Sequence, residues 1–336
     1  MCESAVLFGI TPFDSQYSKS NTMIASPEKL KTEESTSLYS RHAESPVDVE
    51  HLEFRPADLS ELPVLYATQH RFLWPHRIWE RLTPERKDRL IRILRHLIGR
   101  SYFTGVGGFE VLLYVIVTAV NEYLTDKIPL IEVTNATEMQ SNRQLVLKAM
   151  DHGPHCIHGA IEERLPIKVW MEIKQIQDGI KAGTHDAARR LAYQKIDSLL
   201  SDCYNLHWDR CINGPCIVHG ASCPVIANAE KVKDKLVVVG SGVVCKDASP
   251  MGLRKGDAGP AMVGQSIWAR EMTLTRPAIT FTECVQDWEP KVAAAALPSH
   301  RAYTCLLHPH ILGDRYMRTR RMTTTIGPDP LPFFLN

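Results

Sequence analysis

The sequence predicts an α/β protein in which a mostly parallel sheet carries helices on both faces, and three stretches support this. Residues 236–239 form an apolar run with the length and β-branching of a strand buried on both faces, and glycines follow it. Other glycines, around position 107, precede an apolar helical stretch at 111–124. A further predicted strand, 128–133, comes shortly before the acidic residue Glu138. Open α/β sheets place their chemistry outside the carboxyl ends of such strands.

The composition is that of an ordinary globular protein. The 336 residues are 44% hydrophobic and 23% charged, and the formal net charge is +1. Any basic surface for nucleic acid must therefore be local. No apolar run reaches membrane-spanning length and the N-terminus lacks a signal pattern, so no membrane association is expected. Nine cysteines without such a signal predict reduced thiols and an intracellular location.

The chain divides into three predicted regions. Residues 1–60, rich in Ser, Thr, Glu and Pro, are expected to form a disordered leader. A helical extension covers 61–99, and its main helix is predicted from Glu85 to Ile98 because Thr83 is a good N-cap and Pro84 suits a first turn. The remainder, 100–336, is predicted to be the functional domain, with a helical insertion at about 166–234.

The first candidate binding feature is a glycine loop that contains Phe103, Gly105 and Gly107. Glycines between a strand and a helix N-terminus let backbone N–H groups approach a ligand closely, and the helix dipole favours an anionic group there. A simple turn remains the alternative interpretation.

An acidic residue after the second strand is the next candidate. Glu138 has the position that a Rossmann-like site requires for binding two ribose hydroxyls, with Glu132 as the fallback and a plain surface glutamate as the alternative. A third short strand, predicted at 155–158, leads to Ala160 and Ile161, and Ile161 is a candidate for an apolar pocket wall.

Candidate catalytic residues lie further along the chain. Cys245 follows the strand at 236–239, where a nucleophile and a small core residue are equally compatible with the local pattern. A fifth strand, 278–282, ends at Glu283, which is a candidate proton donor. Arg318 and Arg320 alternate as residues on one face of a strand do, although a solvated basic run is the alternative.

A cluster of cysteines and histidines precedes the catalytic stretch. Its four thiols and two imidazoles are compatible with a tetrahedral structural zinc site, but their spacing is not that of common zinc fingers. Reduced thiols in an insertion are the alternative, and we assign no metal ligand from the sequence. The members are Cys203, His207, Cys211, Cys216, His219 and Cys223.

In their order along residues 100–325, these patterns resemble the motifs of the DNA (cytosine-5) methyltransferase family. The resemblance implies a Rossmann-like S-adenosylmethionine-dependent methyltransferase fold. It implies S-adenosyl-L-methionine as cofactor, with the glycine loop around its amino-acid end and Phe103 packed on it. It further implies that Glu138 binds the ribose, and that Met139 and Ile161 line the adenine pocket.

For catalysis, the resemblance implies that the Cys245 thiolate attacks C6 of a cytosine. Glu283 would protonate N3 so that C5 accepts the methyl group, and Arg318 and Arg320 would hold the base and backbone. The implied substrate is DNA, with RNA as an alternative, and the implied location is the nucleus. No obligate protein partner can be inferred. Among the other cysteines, Cys223 is the rival nucleophile.

The sequence also departs from the family pattern. Val244 and Lys246 replace the proline and glutamine beside the family's cysteine, and Ala160 replaces an aspartate that accepts a hydrogen bond from adenine. The family's target-recognition region and final cofactor motif have no counterpart, so we expect a divergent or truncated member. Two hypotheses follow: an active cytosine methyltransferase, or a catalytically impaired relative that binds nucleic acid or a protein.

Overall fold

The computed structural model describes residues 49–51, 74–180, 185–226, 232–242, 260–286, 296–307 and 319–328. Two predicted catalytic residues, Cys245 and Arg318, lie outside these ranges. So does the predicted leader, apart from Val49–His51, which forms an edge strand paired with Ala302 to Thr304.

The strands of the described residues form one ten-stranded sheet with the order β1-β9-β10-β8-β7-β2-β3-β4-β5-β6. The pairings make β5 and β10 run against the other strands. The strands are β1 (Val49–His51), β2 (Leu97–Tyr102), β3 (Val133–Thr137), β4 (Cys156–His158), β5 (Asn213–Cys216), β6 (Ala221–Pro224), β7 (Leu236–Gly242), β8 (Ile279–Val285), β9 (Arg301–Leu307) and β10 (Arg320–Ile326).

Helices connect most of the parallel strands. They are α1 (Trp74–Arg81), α2 (Pro84–His96), α3 (Gly108–Glu122), α4 (Ser141–Lys148), a 3-10 helix (Ile161–Arg164), α5 (Ile167–Asp178), α6 (Asp186–Leu206), α7 (Trp208–Cys211) and α8 (Pro260–Thr275). Among the described helices, none is long and apolar enough to cross a membrane.

Helices cover both faces of the sheet. On one face, α1, α2 and α3 share an apolar core that includes Trp79, Leu94 and Val117. On the other face, α5, α6 and α8 form a larger core around Trp268, whose side chain is fully buried. From β2 the chain adds β3 and β4 on one side of the sheet and then β7 and β8 on the other side, as in doubly wound sheets. This Rossmann-like α/β architecture confirms the predicted fold class.

The second strand was predicted at the wrong residues. It runs over Val133–Thr137 instead of 128–133, and every residue in it is buried although three of the five are polar. The polar side chains donate or accept hydrogen bonds, although Asn135 Oδ1 is buried without a partner. Thr134 Oγ1 donates to the Gly99 carbonyl at 3.2 Å and Asn135 Nδ2 donates to the Pro224 carbonyl at 2.7 Å. An apolar pattern cannot reveal such a strand, because burial here depends on partners distant in sequence.

The helix predicted to reach Ile98 ends at His96, and β2 follows without a loop. Its predicted start is confirmed, since Pro84 is the first residue and the Thr83 hydroxyl accepts the Arg86 N–H at 3.4 Å. Polar residues in β2, including Arg100 and Ser101, are buried, and their polarity hides the strand in the sequence.

A buried ionic network joins the sheet to the helices of the larger core. Arg164 Nη1 donates to both carboxylate oxygens of Glu271, at 2.6 and 2.8 Å, and Arg164 Nη2 also donates to the Thr137 hydroxyl. Tyr102 and Tyr204 donate to the same carboxylate at 2.6 and 3.1 Å. Burial, together with the Glu271 charge, raises the pKa of Tyr102 to about 12. The network therefore fixes the 3-10 helix after β4 against α8.

One close contact fixes α3 on the sheet: a Cβ atom at Gly240 of β7 would overlap the Phe109 ring. We expect Gly240→Ala to lower the free energy of unfolding by about 1–3 kcal/mol, because the ring must move in a filled core. Gly108→Ala is the matched control, since a Cβ at Gly108 meets nothing within 4 Å. That control should be neutral or stabilising. Urea titrations measure both, and an equal loss in the two variants would contradict the packing argument.

Candidate active site

The glycine loop lies between β2 and α3, as the sequence predicts. Gly105 and Gly107 adopt φ values of +66° and +87°, which side-chain-bearing residues rarely adopt. Gly107 is the N-cap of α3, and a Cβ there would lie 2.8 Å from Met150 Sδ. The left-handed backbone conformation therefore favours glycine at 107, and a Cβ there would also displace the flexible Met150 side chain.

A buried carboxylate that the sequence analysis missed supports this loop from inside. Glu110, in the first turn of α3, accepts hydrogen bonds from the Ser101 hydroxyl and from Thr104 Oγ1, the latter at 2.7 Å. Burial raises the pKa of Glu110, while the two hydroxyl donors oppose that rise. The contact ties the end of β2 and the start of the loop to the helix N-terminus.

Glu138 follows β3 directly and faces the glycine loop. Its Oε2 accepts the Gly105 N–H at 2.8 Å and its Oε1 accepts the Gln140 N–H at 2.9 Å. Arg143 Nη1 lies 3.9 Å from Oε2. The fallback residue, Glu132, is exposed and precedes Val133, so it lies at the opposite, amino end of β3. Of the two glutamates, the geometry favours Glu138 for contact with anything bound by the loop.

The two apolar candidates differ in exposure. Met139 is 62% exposed beside Glu138, whereas Ile161 is buried at the start of the 3-10 helix. Ile161 Cγ2 and Phe103 Cε1 both lie 3.4 Å from the position of a Cβ on Gly264 of α8. Phe103 and Ile161 thus share one small region beside the loop, while Met139 lies at its solvent side.

A second group of candidates meets on β8 and β10. Arg320 Nε lies 2.5 Å from Glu283 Oε1, and the two side chains are 20% and 40% exposed. Glu283 is the register partner of Gly242, the last residue of β7, so it lies level with the point where the chain leaves the sheet towards Cys245. Neighbouring Cys284 is buried in the core under α8, which removes it from this group.

The glycine loop with Glu138 and the Glu283–Arg320 pair lie at the same edge of the sheet, the one formed by the carboxyl ends of its parallel strands. The strands β2, β3, β7 and β8 are parallel, so their carboxyl ends coincide there. A Cβ on Gly242 would lie 2.8 Å from the Phe103 carbonyl oxygen, so the end of β7 touches the start of the glycine loop. The sequence-predicted residues in described ranges therefore border one region. No distance links Cys245 or Arg318 to it, because both lie outside those ranges.

The cysteine–histidine cluster predicted from the sequence separates into two sets. Cys203 and Cys211 are buried in the α6 core, with their Sγ atoms 3.6 Å apart, and His207 is exposed. Cys216, His219 and Cys223 meet elsewhere, together with Cys156. The rival nucleophile Cys223 therefore belongs to a different side-chain cluster from the Glu283–Arg320 pair.

No protein-family model matches the chain, and no curated protein matches it. Among solved structures, the chain is similar to the crystal structure of an E. coli prophage protein described as a DNA modification methyltransferase. The identity is 12% and the TM-score 0.35, and the match covers 69% of this chain. The chain spans 47% of that protein. The fold assignment depends on the strand order and directions given above.

Proposed function

We propose that this protein transfers a methyl group from S-adenosyl-L-methionine to C5 of cytosine in DNA. The observation that carries the proposal is the shared carboxyl edge of β2, β3, β7 and β8, where the glycine loop, Glu138 and the Glu283–Arg320 pair all lie. The order of the motifs along the sequence supports the same reaction.

The residues at this edge fit the proposed cofactor. Each oxygen of the Glu138 carboxylate accepts one backbone N–H, and a carboxylate has about four acceptor sites. Acceptor capacity therefore remains on both oxygens for two ribose hydroxyls. Gly105 and Gly107 bring backbone close to the N-terminus of α3, where a carboxylate group is stabilised by the helix dipole. Exposed Met139 and the Phe103 ring offer apolar surface for adenine and the thioether chain.

The mechanism assigns one task to each residue. The Cys245 thiolate forms a bond to C6 of the cytosine, and the electron pair of the C5–C6 double bond becomes available at C5. Glu283 donates a proton to N3 in the same step, which prevents charge from building up on the ring. S-adenosyl-L-methionine, when bound, supplies an electrophilic methyl group. Transfer of the C5 proton to water then expels the Cys245 sulfur from C6 as a thiolate, and N3 returns its proton to Glu283, so that the aromatic base and the starting enzyme are restored.

Arg320 has a positioning task in this proposal. Its guanidinium contacts the Glu283 carboxylate and so holds it on β8, where Glu283 is the register partner of Gly242 at the end of β7. A target base inside a duplex must be extruded to reach this edge, which costs a few kcal/mol and favours unpaired or distorted sites. Arg318 is assigned to the nucleic-acid backbone from its position in the sequence alone.

Cofactor binding is tested by changing Glu138. We expect Glu138→Gln to weaken S-adenosyl-L-methionine binding about 10- to 100-fold, because a charge-assisted hydrogen bond contributes about 1.5–3 kcal/mol. Isothermal titration calorimetry on the full chain measures the change. Glu132→Gln is the matched control, since Glu132 lies at the amino end of the same strand. This variant should bind S-adenosyl-L-methionine with the wild-type affinity.

An equal affinity in Glu138→Gln and wild type would overturn the assignment of this residue. If the wild-type protein gave no heat and no thermal shift with millimolar cofactor, the chain would instead be a relative that binds nucleic acid or protein without catalysis.

A further inference from the structure

Four potential metal ligands converge on the β4 side of the sheet. The imidazole Nδ1 of His219 lies 3.6 Å from the Sγ atom of Cys156, 3.3 Å from that of Cys216 and 3.5 Å from that of Cys223. One ligand atom from each of the four residues lies within 4.8 Å of the other three. Cys156 and Cys216 are buried and His219 is exposed, so the cluster opens to solvent on one side only.

These separations are those of a tetrahedral zinc site. With Zn–S bonds of about 2.3 Å and a Zn–N bond of about 2.0 Å, tetrahedral angles place sulfur and nitrogen about 3.5 Å apart. The three observed sulfur–nitrogen distances lie within 0.3 Å of that value. Cys156 lies 60 residues before Cys216, so local spacing alone does not bring it to the other three ligands.

Hydrogen bonding cannot account for the arrangement. A single imidazole nitrogen has either one proton or one lone pair, so Nδ1 of His219 pairs with one thiol and not with three. All three cysteines are free thiols in the structure, so no disulfide accounts for their proximity. A cation at the centre satisfies all four groups together, and three thiolates with one imidazole are a donor set that favours zinc.

The hairpin that carries two of the cysteines is held to β4 by few backbone contacts. β5 and β6 form a short hairpin. One register pair, His158 with Cys216, and a hydrogen bond from the Ile217 N–H to the Ile157 carbonyl at 2.8 Å join its backbone to β4. Most residues of β6 are exposed, so the hairpin buries little apolar surface. An ion bound by the hairpin and β4 together would therefore add a strong link between them. Cys156 opens β4, Cys216 ends β5, and Cys223 lies on β6, so one ion would join all three strands.

We propose that Cys156, Cys216, His219 and Cys223 bind one zinc ion that fastens the β5–β6 hairpin to β4. All four coordination positions are occupied by protein ligands, which is the pattern of a structural site and not of a catalytic one. The hairpin also contacts the end of β4 directly, because His158 Nδ1 donates to the Pro215 carbonyl at 3.1 Å. The ion therefore stabilises the strand that leads to Ile161.

Metal content of the full chain, purified without added metal and dialysed, is the first measurement. Elemental analysis should give one zinc per chain, and replacement by Co²⁺ should produce thiolate-to-cobalt charge-transfer bands with the strong visible absorption of tetrahedral cobalt. Cys156→Ser and Cys223→Ser should lower zinc occupancy at least about tenfold at limiting metal, as loss of one ligand weakens the site.

Two matched controls come from the same chain. Cys305→Ser changes a partly exposed cysteine of β9, and His207→Ala changes the exposed histidine of the sequence-predicted cluster. Both should retain one zinc per chain. Zinc loss in His207→Ala with retention in Cys156→Ser would overturn the ligand assignment.

Chelation of the wild-type protein keeps the proposal testable if a ligand variant fails to fold. Removal of zinc should lower Tm by more than about 5 °C, and added Zn²⁺ but not Mg²⁺ should restore it. A folded, metal-free protein whose Tm does not respond to zinc, and whose cobalt spectrum lacks thiolate bands, would contradict the proposal. None of these measurements depends on methyl transfer, so the site is tested separately from the proposed function.

Discussion

Methyl transfer is expected to fall by more than about a thousandfold in Cys245→Ser, because loss of a covalent nucleophile removes the step on which the other groups depend. A serine hydroxyl is scarcely ionised near neutral pH, whereas a cysteine thiol forms its thiolate nucleophile much more readily. Initial rates with labelled cofactor and a cytosine-containing duplex measure the loss. Cys305→Ser, on the partly exposed β9 cysteine, is the control and should keep the wild-type rate.

A trapped adduct identifies the nucleophile independently of rates. DNA containing 5-fluorocytosine has no C5 proton to lose, so the Cys245–C6 bond should persist after methyl transfer. Peptide mapping should then find the modified residue at 245 and no adduct in Cys245→Ser. Modification of Cys223, or an adduct that survives the substitution, would contradict the assignment.

The largest stability loss is expected when the buried ionic network loses one partner. Glu271 is completely buried and Arg164 is 2% exposed, so Glu271→Gln leaves an uncompensated guanidinium in the core. We expect the free energy of unfolding to fall by about 3–5 kcal/mol, as for other buried pairs broken on one side. Denaturant unfolding measures this loss. Asp126→Asn is the control, because its pair with Arg95 is 86% exposed at the carboxylate and should change stability little.

The double variant Arg164→Met with Glu271→Leu separates charge burial from packing. Removing both charges should restore much of the stability lost in Glu271→Gln, since an apolar replacement of a buried pair is often neutral. The two single variants, Arg164→Met and Glu271→Leu, are measured alongside it. If the double variant loses more free energy of unfolding than the two single variants lose together, the network contributes through geometry and not through charge compensation alone.

The fold could be predicted from the sequence where burial and polarity agree. The apolar strand at 236–239 and the glycines before α3 have patterns that depend only on near neighbours, and both elements are found. Strand β3 was misplaced because Thr134 and Asn135 are buried with hydrogen-bond partners far away in sequence. Such partners leave no periodic signal.

The residues of the candidate site also differ in how far the sequence reveals them. Glu138 could be chosen because it follows a strand, and the structure places it against the glycine loop. Glu110 was missed because one glutamate in a first helical turn is common, and only its buried contacts distinguish it. Cys156 was missed because it lies 60 residues before Cys216, and the sheet alone brings the two together.

The position of the transferred methyl group shows whether the protein methylates C5 of cytosine. The full chain is incubated with DNA and S-adenosyl-L-methionine that has a trideuterated methyl group, and the DNA is digested to nucleosides for mass spectrometry. We expect trideuterated 5-methyldeoxycytidine with the wild-type chain and none with Cys245→Ser. Label on an exocyclic amino group of cytosine or adenine, or equal labelling by Cys245→Ser, would contradict it.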